Sequence, residues 1–140
     1  MSWAVYAFLS ALFAAITAIL AKIGVKNIDS NLATAVRTVV ILLFAFGIVA
    51  YQGTLRSLPS VSKYTFVFLV LSGVATGLSW LFYFKALQLG QANQVAPIDK
   101  LSLVFTLLLA ALFLGEKLTL PIIAGGTLMT IGALIITFVK

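Results

Sequence analysis

Residues 32–51 read LATAVRTVVILLFAFGIVAY. Apart from Arg37 the run is uncharged, and its length is what a helix rising 1.5 Å per residue needs to cross roughly 30 Å of hydrocarbon. The apolar residues are continuous and do not alternate with polar ones, which excludes the strand of a membrane β-barrel. Four runs of the same kind accompany it: Trp3 to Ala21, Tyr64 to Phe84, Val95 to Leu114 and Leu118 to Val139. The chain as a whole is 63% hydrophobic and only 9% charged, far from the roughly 25% charged residues of soluble domains. The sequence therefore predicts an all-α membrane protein, a bundle of five transmembrane helices forming a single domain over residues 1–140.

The connectors are short and polar. Lys22 to Asn31 offers Asp29, Ser30 and Asn31 as caps for the second span, and Gln52 to Lys63 is the longest loop, with Gly53 and Pro59. Gly90 to Asn93 and Gly115 to Lys117 are tight turns; Thr119 is a candidate cap for the last span, whose first turn tolerates Pro121. Connections this short place consecutive helices antiparallel and side by side. The first span lacks a basic segment ahead of it and is read as a retained helix, not a signal peptide.

What is missing narrows the function. There is no cysteine and no histidine, which removes thiol nucleophiles, disulfides and the usual metal ligands. With three acidic residues and no phosphate-binding glycine loop, neither enzyme chemistry nor direct ATP use is expected. Nor is any cofactor. The net charge is +6, but the basic residues lie at helix ends and inside apolar runs, a distribution unlike a nucleic-acid interface.

Charge inside the spans is the informative feature. Arg37 leaves residues 38–51 of the second span uncharged, and Asp99 with Lys100 leaves residues 101–114 of the fourth. Each remainder is about 21 Å long, too short for the bilayer core. Either these helices are short or their charges sit within the membrane's thickness. Both begin on the face where the third span ends with Lys85 and the first with Lys22. A mostly cationic ring of Arg37, Lys85, Lys100 and Lys22 with the carboxylate of Asp99 is therefore expected at one depth. Lys22 reads best as snorkelling to the headgroups. Arg37 and Lys100 lie too deep for that and read as substrate-binding or internally paired. Asp99 would pair with Arg37 or Lys85, or carry a proton. The neighbouring aromatics Trp80 and Tyr83 would form either an interfacial belt or a cavity wall.

Gly73 and Gly77, spaced GxxxG in the third span, read as a helix-packing face, as do Ala11 with Ala15 and Gly125, Gly126 and Gly132. Flanking charge hardly orients the bundle, since Arg56, Lys63 and Lys117 oppose Lys22, Lys26, Lys140 and the borderline Lys85. An odd number of spans with so weak a bias is the pattern of a protein that inserts both ways and pairs as an antiparallel homodimer. Two copies would make ten helices with inverted symmetry, the plan of many secondary transporters.

The stretch FYFKALQLGQANQVAPIDKLSLVFTLLLAALFLGEKLT, Phe82 to Thr119, resembles the C-terminal half of the EamA domain of the drug/metabolite transporter superfamily. TAILAKIGVKNIDSNLATAVRTVV, Thr17 to Val40, resembles its beginning. KALQLG, the VAP of Val95 to Pro97 and the LGEKLT turn carry the likeness, which extends over the whole chain. Ile98, Asp99 and Lys100 stand where longer relatives often have small or hydroxyl residues, so those relatives' substrates are not transferred. The resemblance implies one half of a ten-helix inverted-repeat transporter, from the single-domain branch found in the inner membrane of bacteria and in archaea.

The expected function is a secondary transporter of a small metabolite by alternating access. Arg37, Lys85 and Lys100 would bind the substrate's anionic group, Trp80 and Tyr83 its apolar part. The bilayer and a second copy would be its partners. A non-transporting subunit that stabilises a partner complex, or a lipid flippase, would use the same charged ring.

Overall fold

In a computed structural model that describes residues 2–138, every regular element is helical. The helices are α1 (Trp3–Gly24), α2 (Ser30–Tyr51), α3 (Lys63–Leu89), α4 (Ala92–Asp99), α5 (Ser102–Phe113) and α6 (Leu120–Phe138), with a short 3-10 turn at Thr54–Ser60. Five spans long and apolar enough to cross a membrane result, because α4 and α5 together make the fourth, Ala92–Phe113. The expected five-span bundle is thus present, with one span broken into two helices. Val139, expected to close the last span, lies outside the described residues.

Local chemistry sets the ends. Of the three candidate caps for α2, Asp29 does the work: its Oδ1 accepts from the N–H groups of Asn31 at 2.9 Å and Leu32 at 3.1 Å. Ser62 caps α3, its Oγ accepting from the Thr65 N–H at 3.1 Å. The third span continues past Phe84 to Leu89, 27 residues in all, because Lys85, Ala86, Leu87 and Gln88 are strong helix formers and the first breaker is Gly90. Lys85 and Gln88 thereby become helical residues with fixed directions. Gly115 takes a φ of 68° and turns the chain after α5, and the Ala110 carbonyl accepts from the N–H groups of both Leu114 and Glu116. In α6, Thr119 supplies the carbonyl for the first helical bond, from Ile123 at 3.0 Å. The LGEKLT motif is accordingly a chain-reversal device.

The chain forms two compact units. One, Leu20–Gln88, contains the end of α1, all of α2 and nearly all of α3. Its core is made by Ala21, Val25, Phe84 and Leu87 with two buried polar residues, Ser30 and Thr34. The other joins the first part of α1 to α4, α5 and α6. There α4 and α5 both pack on α6, and the Thr137 hydroxyl, which reaches Ala133 O at 2.8 Å, also lies 3.2 Å from the Gln94 carbonyl of α4.

Packing is close at Gly126. A Cβ built on Gly126 would stand 3.1 Å from Leu107 Cδ1 of α5, whereas one on Gly73, Gly77, Gly125 or Gly132 would meet nothing within 4 Å. Beside that contact lies an apolar cleft of about 330 Å³ lined by Val104, Leu107, Ile122 and Gly126 among others. Most large apolar side chains on every span face outward, Phe44 at 71% and Phe113 at 75% exposure for example, as a surface solvated by lipid requires. Gly126→Leu should overpack the α5–α6 contact and destabilise the fold by about 1–3 kcal/mol, read as a lowered unfolding temperature in detergent. Gly73→Leu should leave the same measurement on the monomer unchanged.

Candidate substrate site

The second span passes through Arg37 without interruption. Arg37 therefore sits roughly 10 Å along the axis from the start of α2, inside the span's thickness. Of the two outcomes allowed by the sequence, a short helix is not the one seen here: α2 runs 22 residues with Arg37 inside it. Ser30, Thr34, Arg37 and Ile41 follow one another at helical spacing and form the least exposed stripe of α2. The Thr34 hydroxyl returns its proton to the Ser30 carbonyl at 2.8 Å, and Thr38 does the same with Thr34, so no hydroxyl on this stretch is unsatisfied.

Across from Arg37, α3 presents Trp80 and Phe84, one helical turn apart. The guanidinium carbon lies 4.5 Å from the centroid of Trp80 and 5.1 Å from that of Phe84. Both distances are those of a cation over an aromatic face, an attraction of about 2 kcal/mol where water is excluded. Tyr83 lies within electrostatic range of the same guanidinium and its ring meets Phe84 edge-on at 6.4 Å. Phe82, pointing away from this face, is 75% exposed. The aromatic run is thus divided: Trp80, Tyr83 and Phe84 surround the charge, Phe82 faces outward.

Stacking on rings uses the faces of a guanidinium and leaves its edge, with five N–H donors, for an acceptor. Among the described residues, no carboxylate, carbonyl or hydroxyl hydrogen bonds to Arg37. A planar cation held by its faces, with donors pointing into the space beside it, can receive a carboxylate or similar anion through paired hydrogen bonds.

The remaining candidates are distributed differently. Lys85, exposed, donates to Gln88 Oε1 at 3.1 Å. Lys22 donates to the Leu87 carbonyl at 2.6 Å. Contacts with Leu87 and with Trp80 to Phe84 put Lys22 nearer the end of α3 than Arg37, by about 7 Å along the axis. Asp99 and Lys100 belong to the other compact unit and pair with each other, Nζ to Oδ2 at 3.2 Å, with both side chains substantially exposed.

Their setting is the break in the fourth span. Lys100 and Leu101 keep right-handed helical angles, but the chain tightens from α to 3-10 bonding. Lys100 N–H reaches Pro97 O, Leu101 reaches Ile98 O, Leu103 reaches Lys100 O and Val104 reaches Leu101 O, at 2.9–3.1 Å. A 3-10 segment in the middle of a span, flanked by a proline three residues earlier, is a recurrent place for a hinge. Phe84 belongs to the aromatic run Trp80, Phe82, Tyr83 and Phe84 that the sequence offers as a belt or cavity wall, whereas Gln88 is a residue that sequence reasoning passed over. Its signal was the spacing from Trp80, since residues 80, 84 and 87–88 share one face of a helix whose apolar run closes at Phe84.

A membrane bundle with a stacked cation inside one span and a tightened break in another has the make-up of a transporter. The EamA-like transporter family model matches residues 1–138. A protein of Sinorhizobium sp described as an uncharacterized transporter in cobO 3'region is 50% identical over 135 residues, covering 96% of each chain. No solved structure matches. The chain belongs to the EamA-like transporter family.

The Arg37 contact is measurable by itself. A double-mutant cycle between Arg37→Met and Trp80→Leu, followed by unfolding in detergent micelles, should give a coupling energy of about 1–2 kcal/mol. Additive single effects would mean that the stacking contributes nothing.

Proposed function

We propose that the protein is a secondary transporter that carries a small anionic metabolite across the cell membrane by alternating access, working as an antiparallel homodimer. The observation that carries this reading is the Arg37 guanidinium, held 4.5 Å from Trp80 on a span-length helix while its donors meet no acceptor among the described residues. Leaving such donors unmet in a water-poor region costs several kcal/mol. A substrate anion bound there removes that cost in the occupied state. Trp80 and Tyr83 then contact the apolar part of the substrate.

Alternating access needs an element that changes shape, and the tightened segment from Pro97 to Val104 is suited to that role. Asp99 and Lys100, paired on it and partly exposed, are available to exchange partners, or a proton, as it moves. Five spans put the two ends of the described chain on opposite membrane faces. Oppositely inserted copies would supply the inverted symmetry that transporters of ten helices build within one chain. Gly73 and Gly77, open on α3, give such a copy a smooth place to pack.

Two measurements test this. In proteoliposomes loaded with candidate carboxylates, Arg37→Ala should reduce flux at least ten-fold, and Arg37→Lys should recover only part of it because an ammonium lacks the planar fork. Flux equal to that of the unaltered protein in both variants would remove Arg37 from the substrate site. For the assembly, termini labelled from each side of native membranes should be found on both faces. The double variant Gly73→Leu, Gly77→Leu should run as a monomer where the unaltered protein runs as a dimer.

A further inference from the structure

At the end of the Leu20–Gln88 unit, away from Arg37, the last turn of α1 and the last turns of α3 enclose a cleft of about 530 Å³. It is lined by Lys22, Ile23, Val25, Lys26, Leu87 and Gln88. Helix C-termini ordinarily present bare carbonyls, which would repel an anion. Here three of the carbonyls around the cleft, those of Leu87, Val25 and Ile28, have side-chain donors. Lys22 donates to Leu87 O at 2.6 Å, and the Gln88 amide nitrogen reaches Ile28 O at 2.9 Å and Val25 O at 3.4 Å. The Gln88 amide oxygen in turn accepts from Lys85 at 3.1 Å, bringing a third ammonium to the rim.

Among the described residues, no acidic side chain lines the cleft. Asp29, the acid closest in sequence, spends its Oδ1 on capping α2 through Asn31 and Leu32. Among the described residues the ion pair is Asp99 with Lys100, in the other unit. Lys26 is exposed and has no ion-pair or hydrogen-bond partner among them. Two lysines, Lys22 and Lys26, therefore line a cleft whose floor, Val25 and Leu87, is apolar and almost wholly buried, and Lys85 joins its rim through Gln88.

The depth of this cleft fixes the kind of ligand. α1 ends at Gly24, so Lys22 and Lys26 straddle the boundary of a membrane span, the level of lipid headgroups. Ile23, 69% exposed beside the lysines, continues the apolar surface toward the hydrocarbon. We propose that this cleft binds a phosphate group at the membrane boundary, held by Lys22 and Lys26 with Lys85 at its rim, as presented by an anionic phospholipid or by free phosphate. The site is separate from Arg37 and does not depend on what the protein transports.

The test uses the full chain purified in a neutral detergent, with native mass spectrometry to count bound lipid and thermal unfolding as the second readout. Phosphatidylglycerol should be retained as one bound molecule and raise the unfolding temperature, phosphatidylcholine much less. Lys26→Gln should weaken phosphatidylglycerol binding about five-fold, the effect of one lysine at an anionic surface, while Lys117→Gln, outside the cleft, should not change it. A matching rise with inorganic phosphate, also lost in Lys26→Gln, would support the site with free phosphate as a source. Phosphatidylglycerol effective without inorganic phosphate would support the lipid as the source. Equal losses in Lys26→Gln and Lys117→Gln would reveal attraction to overall charge and overturn the proposal, as would no response to either ligand. Lys26→Arg, which keeps the charge, should restore binding, and its failure to do so in a folded protein would also count against the site.

Discussion

Inside hydrocarbon a peptide group must find its hydrogen-bond partner within the chain, since no water is there to supply one. That constraint makes every regular element of this protein a helix and explains its exceptions. Threonine hydroxyls on the spans return to the carbonyl four residues back, as Thr76 does to Ser72, Thr106 to Ser102 and Thr127 to Ile123, at 2.8–2.9 Å. Where the fourth span breaks, bonding tightens from four residues to three instead of being lost. Where α1 and α3 end near one another, the side chains of Lys22 and Gln88 take the carbonyls that the helices leave over. The polar residues of the spans are distributed by this accounting first.

The same constraint shows why two charges six residues or more inside apolar runs meet different fates. Arg37 has the α3 aromatics Trp80 and Phe84 opposite it, and two ring faces replace part of its lost hydration. Its helix can therefore continue unbroken around it. Lys100 has a carboxylate next to it in sequence. Successive residues of an α-helix point about 100° apart, so an ion pair between neighbours is strained in a regular helix. The 3.2 Å contact between Asp99 and Lys100 coincides with the place where the α-helix gives way.

Length and apolarity made the five spans legible in the sequence, and the two interrupted runs were legible as such. What the sequence left open was which of two solutions each interruption takes, because that depends on residues brought from another helix. Arg37 with Trp80 is a contact between positions 43 apart, invisible to any local pattern. The extension of α3 through Lys85 and Gln88 was hidden for a simpler reason. The apolar run closes at Phe84 with Lys85 expected just inside the helix end, although Lys85 to Gln88 are favourable helix residues and a helix does not end where its hydrophobicity does. Continuing the helix to Leu89 places Gln88 against the α1–α2 connection. Of the residues expected in the ring, Arg37 lies with its aromatics and Lys22 and Lys85 lie at the end of the same unit, while Asp99 and Lys100 belong to the other unit.

That separation bears on how a chain of this size can work as a transporter. A substrate anion needs a cation that is not already satisfied, and a moving element needs contacts that can be exchanged at small cost. Arg37 meets the first condition because its stacking partners carry no charge and leave its edge donors available. The exposed Asp99–Lys100 pair meets the second, since an ion pair in contact with water is worth about 0–1 kcal/mol and is readily given up. In the proposed transport cycle the Arg37 edge, which no carboxylate among the described residues meets, would receive the substrate anion, and the Asp99–Lys100 pair would be the contact that is exchanged.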